Sequence, residues 1–381
     1  MGMLTRFSVA NYKNFKEPIE WILDRPGKYQ HNSNCLIQKV VGKAILYGKN
    51  GTGKSNLGKA MLDVKNVLLA DQAENGFDFG QLFLHSDSDQ PFAQFRYGFR
   101  IGSAEIEYSY QKNCRQQLAA EKLTVNKQLV FNLNFSDPAL NEIKNLKLIG
   151  LKTLSADHYF SRLNSEDEEP ISFLRWAYNN SQTSDLALVD QLMDEVKGMY
   201  YLAPNQAIDA INSDLRNPRE MTNDKIERLE AFLKDMGFSC KLLLRQELDA
   251  RQRLYFDLQT PILFFENASS GLKTLAQFYL QLDPILAHAT LVYIDEFDAF
   301  FHYETAERFF SYFKLKYPDI QFIFTAHHPD LISNHLLRPD CCFLLSSKGT
   351  ITSLDRATGR ELREGHNLEK MYRSGEFLEY E

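Results

Sequence analysis

The run Gly48-Lys49-Asn50-Gly51-Thr52-Gly53-Lys54-Ser55 fits G-x-x-x-x-G-K-[ST], a spacing that cradles phosphate. The glycines let the backbone curl until successive N–H groups point at phosphate oxygens, and the following helix N-terminus adds its dipole. Lys54 would reach the β- and γ-phosphates and Ser55 would hold Mg²⁺, with Gly48, Asn50, Gly51, Gly53 and Asn56 completing the nucleotide side. Farther along, Leu291-Val292-Tyr293-Ile294 is followed by Asp295-Glu296, a buried strand delivering two carboxylates at its end. Asp295 is placed to orient Mg²⁺ and its waters, and Glu296 to polarise the water that attacks the γ-phosphate. A second buried strand, 320–324, runs into Thr325-Ala326-His327-His328-Pro329. A histidine at the carboxyl end of such a strand can hydrogen-bond the γ-phosphate, and His327 is the choice of the two. Ser269-Ser270-Gly271 opens a helix with apolar positions Leu272, Leu275, Tyr279 and Leu282. Helix capping alone explains a serine there.

The elements that must position these groups are legible in outline. An apolar run ending Ala44-Ile45-Leu46-Tyr47 precedes the phosphate loop, and Leu57, Met61, Val64 and Leu68 follow it with helical spacing. Leu4, Phe7 and Val9 mark a first strand, which turns through Asn11-Tyr12-Lys13-Asn14-Phe15. Alternation over 95–101, 106–110 and 129–133 predicts antiparallel strands. A helical stretch is expected over about 155–236, interrupted by the acidic run Ser165-Glu166-Asp167-Glu168-Glu169-Pro170, read as a solvated loop. Ile226, Leu229, Phe232 and Leu233 mark one amphipathic helix there, and from 253 onward strands and helices alternate.

The chain has 381 residues, enough for one large domain or two smaller ones. A formal charge of −7 gives no general electrostatic case for nucleic acid or an anionic membrane surface. Five cysteines without a C-x-x-C pair suit a reducing compartment and argue against a disulfide framework or zinc site. No apolar run approaches the ~18 residues of a membrane span, and the N-terminus lacks the cationic head and apolar core of a signal peptide. The expectation is a cytoplasmic protein.

In their order along the chain, these parts resemble the ATP-binding-cassette class. Within it the chain is similar to the RecF/SMC-like branch, most of all to the compact ATPases of overcoming-lysogenisation-defect nucleases and related phage-defence systems. The resemblance rests on the opening Asn11-Tyr12-Lys13-Asn14-Phe15, on Asp295-Glu296-Phe297-Asp298 with His302-Tyr303-Glu304 as Walker B and D-loop, and on Arg363–Tyr372 near the C-terminus. It implies an α/β fold: a P-loop ATPase core with an antiparallel β subdomain, an inserted helical subdomain and no long coiled coil. It implies three segments: 1–150 as an N-terminal lobe, 151–250 as a helical insert and 251–381 as a C-terminal lobe. Ser270 and Gly271 then match the signature motif, whose second glycine is Leu272 here. In such proteins the signature faces the P-loop of another copy, so ATP and Mg²⁺ would be sandwiched in a head-to-tail homodimer, with Asp298 and His302 in the D-loop. The Q-loop glutamine, a further Mg²⁺ ligand, is assigned to Gln90, with Gln81 and Gln94 as rivals. Lys13 either lies near the nucleotide, as in relatives, or is simply exposed.

The expected function is a slow, regulatory ATPase that dimerises around ATP and controls a separate effector, such as a nuclease or toxin, in anti-phage defence. About 200 residues between the P-loop unit and Ser269 lack sustained heptads, and no second acidic cluster marks a fused nuclease. The alternative is a RecF-like repair ATPase acting directly on DNA. A transporter subunit is disfavoured by the degenerate signature.

Overall fold

The computed structural model describes residues 2–70, 83–115, 117–151, 156–163, 170–181, 187–203, 221–247, 252–299 and 301–380. Two large sheets carry the molecule. One has seven antiparallel strands, in the spatial order Glu142–Ile143, Gln128–Asn134, Leu118–Val125, Ala104–Lys112, Ala93–Ile101, Gly2–Ala10 and Ile19–Ile22. Its long strands alternate buried and open positions, as one-faced burial requires. In the first strand the pairing register slips between Leu4 and Arg6. That bulge shifts the buried parity, so Leu4, Phe7 and Val9 all face the core.

The second sheet orders its six strands Met199–Leu202, Leu291–Ile294, Gln321–Ala326, Lys43–Tyr47, Cys342–Leu345 and Ile351–Ser353. The first five run parallel and the last is antiparallel. Leu291–Ile294, Gln321–Ala326 and Lys43–Tyr47 are buried at every position, the pattern of strands covered on both faces. Their carboxyl ends share one edge, where ligands of α/β sheets bind.

Specific polar contacts tie the sheets together. The Gln321 amide accepts from Leu4 N at 2.7 Å and donates to Leu4 O and Val41 O, each at 3.0 Å. Asp63, at the break between helices Lys54–Met61 and Asp63–Leu69, pairs with Lys112 at 2.6 Å and accepts from the Tyr110 hydroxyl at 2.7 Å. Burial pulls the Lys112 ammonium down, and Asp63 opposes that pull. The helical spacing of Leu57, Met61, Val64 and Leu68 therefore spans two helices, and all four are buried.

Two expectations need correction. The stretch 155–236, within the 151–250 insert, contains helices Ala156–Leu163, Phe173–Asn180, Ala187–Lys197 and Asn223–Asp235, but also the strand Met199–Leu202 of the parallel sheet. Four residues are too few to show a period, and the partner strand lies some ninety residues downstream. Likewise Gln252–Phe256 and Ile262–Leu263 join Leu242–Gln246 in a small antiparallel sheet, so α/β alternation begins only at helix Ser270–Leu286. At 17 residues that helix is the longest among the described residues, and no long coiled coil is present among them. The acidic positions 165–169 lie outside the described residues.

Candidate functional site

Gly53 holds φ 102°, in the left-handed region open to glycine, and caps the helix Lys54–Met61. The Lys54 Nζ donates to Gly48 O at 2.6 Å and to Lys49 O at 3.3 Å, so the ammonium stands over the loop. Burial lowers its proton affinity, while Asp295, Glu296 and Asp298 restore part of it.

Below the loop, the helix sits unusually close to the sheet. A Cβ on Gly58 would lie 2.5 Å from Tyr293 Cε1 and 2.9 Å from Tyr201 Cε2. Those two rings stack at 5.7 Å and 16°. The Tyr293 hydroxyl donates to Lys54 O at 2.6 Å, fixing the first turn of the helix to the acid-bearing strand.

The turn after the first strand braces the loop from the other side. Asn11 and Lys13 both adopt positive φ, 51° and 50°. Asn11 Nδ2 donates to Gln90 O at 2.8 Å and Phe92 O at 2.9 Å. Asn14 Nδ2 donates to Thr52 O at 2.9 Å, Asn56 Nδ2 donates to Asn14 Oδ1 at 2.8 Å, and the Asn14 side chain fills the space a Cβ on Gly53 would need. Asn56, expected at the nucleotide, thus holds Asn14. Half-buried Lys13 lies beside the Tyr12 ring, and burial, with Lys59 adding to it, lowers its proton affinity. Sequence reasoning picked out the Asn11–Phe15 motif but assigned no task to Asn14.

Across the edge, each oxygen of the buried Asp295 carboxylate takes one hydroxyl. Thr325 Oγ1 donates to Oδ1 at 2.6 Å and Tyr201 to Oδ2 at 2.8 Å. Glu296 follows with φ 48°, a left-handed conformation costly for a non-glycine residue and kept only where its surroundings enforce it. Here its N–H donates to Thr325 Oγ1 at 2.7 Å. The Glu296 Oε1 lies 3.5 Å from His327 Nε2, and both side chains are partly open to solvent. Buried Asp298 accepts from His327 N at 2.9 Å and His328 N at 2.8 Å, holding the chain that carries His327.

The remaining candidates lie elsewhere. Ser269 caps its helix by accepting from Leu272 N at 3.4 Å. Ser269 and Ser270 are exposed, Gly271 is half-buried, and no hydrogen bond among the described residues joins them to the P-loop of the same chain. His302 is exposed and caps the helix Tyr303–Lys316 through its backbone. Gln90 is exposed and engaged through its backbone carbonyl. Gln94 lies on the open face of the seven-stranded sheet, and Gln81 falls outside the described residues. Tyr201 and Thr325 went unassigned. The Thr-Ala-His run held a signal for Thr325, whereas Tyr201 lay in a stretch read as helical.

The donor set fits Mg²⁺: one carboxylate and one hydroxyl, both hard oxygen donors. Among the described residues no three His, Cys, Asp or Glu groups could hold a metal ion by themselves. Mg²⁺ is ordinarily bound in this way, by one or two protein oxygens together with nucleotide phosphates and water.

A P-loop strand inside a parallel sheet, with a histidine-ended strand between it and an acid-ended one, defines a P-loop ATPase. The chain belongs to the family described as AAA domain, putative AbiEii toxin, type IV TA system, whose model matches residues 43–333. No curated protein matches it. Among solved structures it is similar to the SMC head domain from Thermotoga maritima (14% identity, 92% of this chain and 98% of that one, TM-score 0.46). It is also similar to an SMC head bound to the C-terminal winged-helix domain of ScpA (13% identity, 93% and 99%, TM-score 0.47). A third is an SMC head with extended coiled coil bound to the C-terminal domain of ScpA, from Pyrococcus furiosus (14% identity, 94% and 98%, TM-score 0.43). No helix among the described residues is long and apolar enough to cross a membrane.

Proposed function

We propose that this ATPase is a nucleotide-gated switch. Mg-ATP, held by the P-loop, Ser55 and Asp295, closes two copies head to tail, and hydrolysis at Glu296 opens them. The observation that carries the reading is the pairing of Glu296 with His327 at the sheet edge, 3.5 Å apart, while Ser269 and Ser270 remain exposed on a helix start of the same chain. A base for water and a γ-phosphate sensor are thus adjacent in cis. A serine hydroxyl and a helix N-terminus are left facing outward, where they suit the γ-phosphate of a second copy.

The state so gated controls a separate effector in defence against phage. The family's designation as a putative toxin of a type IV toxin–antitoxin system supports a defence role. The test is light scattering of Glu296→Gln with Mg-ATP. Removal of the base, with the binding groups kept, traps a dimer that Lys54→Ala does not form. Normal turnover by Glu296→Gln overturns the assignment. An ATPase rate that rises with duplex DNA and falls steeply with salt would instead place the protein directly on DNA.

A further inference from the structure

We propose that Tyr201 is a positioning residue for the Mg²⁺ site, its hydroxyl setting the orientation of Asp295. The inference rests on the reading that Ser55 and Asp295 hold Mg²⁺ with the nucleotide.

A phenol carries one proton. Tyr201 donates it to Asp295 Oδ2 at 2.8 Å. Thr325 supplies the matching hydroxyl on Oδ1 at 2.6 Å, so Asp295 is oriented on both oxygens by neutral groups. Among the described residues no ion pair takes up its charge, which stays available to a metal-bound water. Outer hydrogen bonds of this kind set ligand orientation in metal sites.

The ring is held as firmly as its hydroxyl. It stacks on Tyr293 at 5.7 Å, and the helix bearing Ser55 comes down on both rings at Gly58. Phenylalanine would satisfy the stacking; only tyrosine also donates to Asp295.

The experiment is a titration of Mg²⁺-dependent binding of a fluorescent ATP analogue to the full chain, with parallel titrations in EDTA. Tyr201→Phe is expected to raise the Mg²⁺ concentration required by about 10–100-fold, with metal-free binding unchanged. Tyr293→Phe, which loses a hydroxyl from Lys54 O instead, is expected to weaken nucleotide equally with and without metal. An unchanged Mg²⁺ requirement in Tyr201→Phe, while Ser55→Ala shifts it, overturns the role of Tyr201 and leaves the metal reading standing. If Ser55→Ala also leaves it unchanged, the metal reading falls and the inference with it. A Tyr293→Phe shift in Mg²⁺ requirement equal to that of Tyr201→Phe assigns the effect to ring packing and overturns the proposal.

Discussion

His327 Nε2 lies 3.5 Å from Glu296 Oε1, and the backbone of each is fixed by a different side chain: Glu296 N by the Thr325 hydroxyl, His327 N by the Asp298 carboxylate. Glu296 holds a left-handed φ of 48° just past the end of its strand, a conformation kept only where its surroundings enforce it.

Replacing Glu296 by glutamine should lower ATP turnover by about 10²–10⁴-fold, the usual weight of a general base, with nucleotide affinity retained. His327→Ala should reduce turnover without abolishing binding. Single-turnover hydrolysis and equilibrium binding, measured side by side, separate the two effects. Equal losses of binding and turnover in Glu296→Gln would contradict the assignment.

Gly58→Ala should be destabilising despite the gain in helix propensity. The new methyl meets two stacked, packed tyrosine rings at 2.5 and 2.9 Å, and overpacking of this kind costs about 1–3 kcal/mol. Denaturant unfolding reads the cost, and nucleotide binding should weaken as the helix is displaced. A variant as stable as the parent would show that the rings move aside freely.

Asp63 and Lys112 form a pair in which both side chains are at most 1% exposed. Asp63→Ala strands a buried ammonium, so a loss of about 3–5 kcal/mol is expected. Replacing both partners by apolar residues of similar size should recover most of it. Failure of the double variant to recover would mean that Tyr110 and the surrounding turn, rather than the charge, depend on Asp63.

Glu195 is buried, neither carboxylate oxygen has a hydrogen-bond partner among the described residues, and burial pushes its carboxyl up to about 7. The unfolded chain releases that proton near pH ~4.3. The folded state therefore binds the proton more tightly, and this contribution to stability is complete below about pH 4 and lost as pH rises to about 7, on the order of 3 kcal/mol in all. Glu195→Gln should flatten stability between those limits in urea melts at stepped pH. A parent-like slope in the variant would assign the pH dependence elsewhere.

Much of the candidate site was readable because its motifs are local. A P-loop needs eight consecutive residues, and an acid-ended strand needs six; each carries its own geometry through glycine conformations and apolar runs. The seven-stranded sheet was likewise visible as alternation, and a fourth long strand, Leu118–Val125, fills the interval between those expected. What the sequence did not disclose were contacts between segments far apart in the chain. Asn14 meets Thr52, Tyr201 meets Asp295 and Gln321 meets Leu4, across 38, 94 and 317 positions. No periodicity encodes such a meeting.

The sequence by itself determined a glycine-rich loop of phosphate-binding pattern over Gly48–Ser55 and two carboxylates at the end of Leu291–Ile294. The tertiary structure decided which strands lie beside that one. Parallel neighbours are joined by long crossovers, so their order is set by packing of the whole sheet and not by local pattern. That order placed Met199–Leu202 on one side of the acid strand and Gln321–Ala326 on the other. With them came the two hydroxyls, of Tyr201 and Thr325, that hold Asp295 in place.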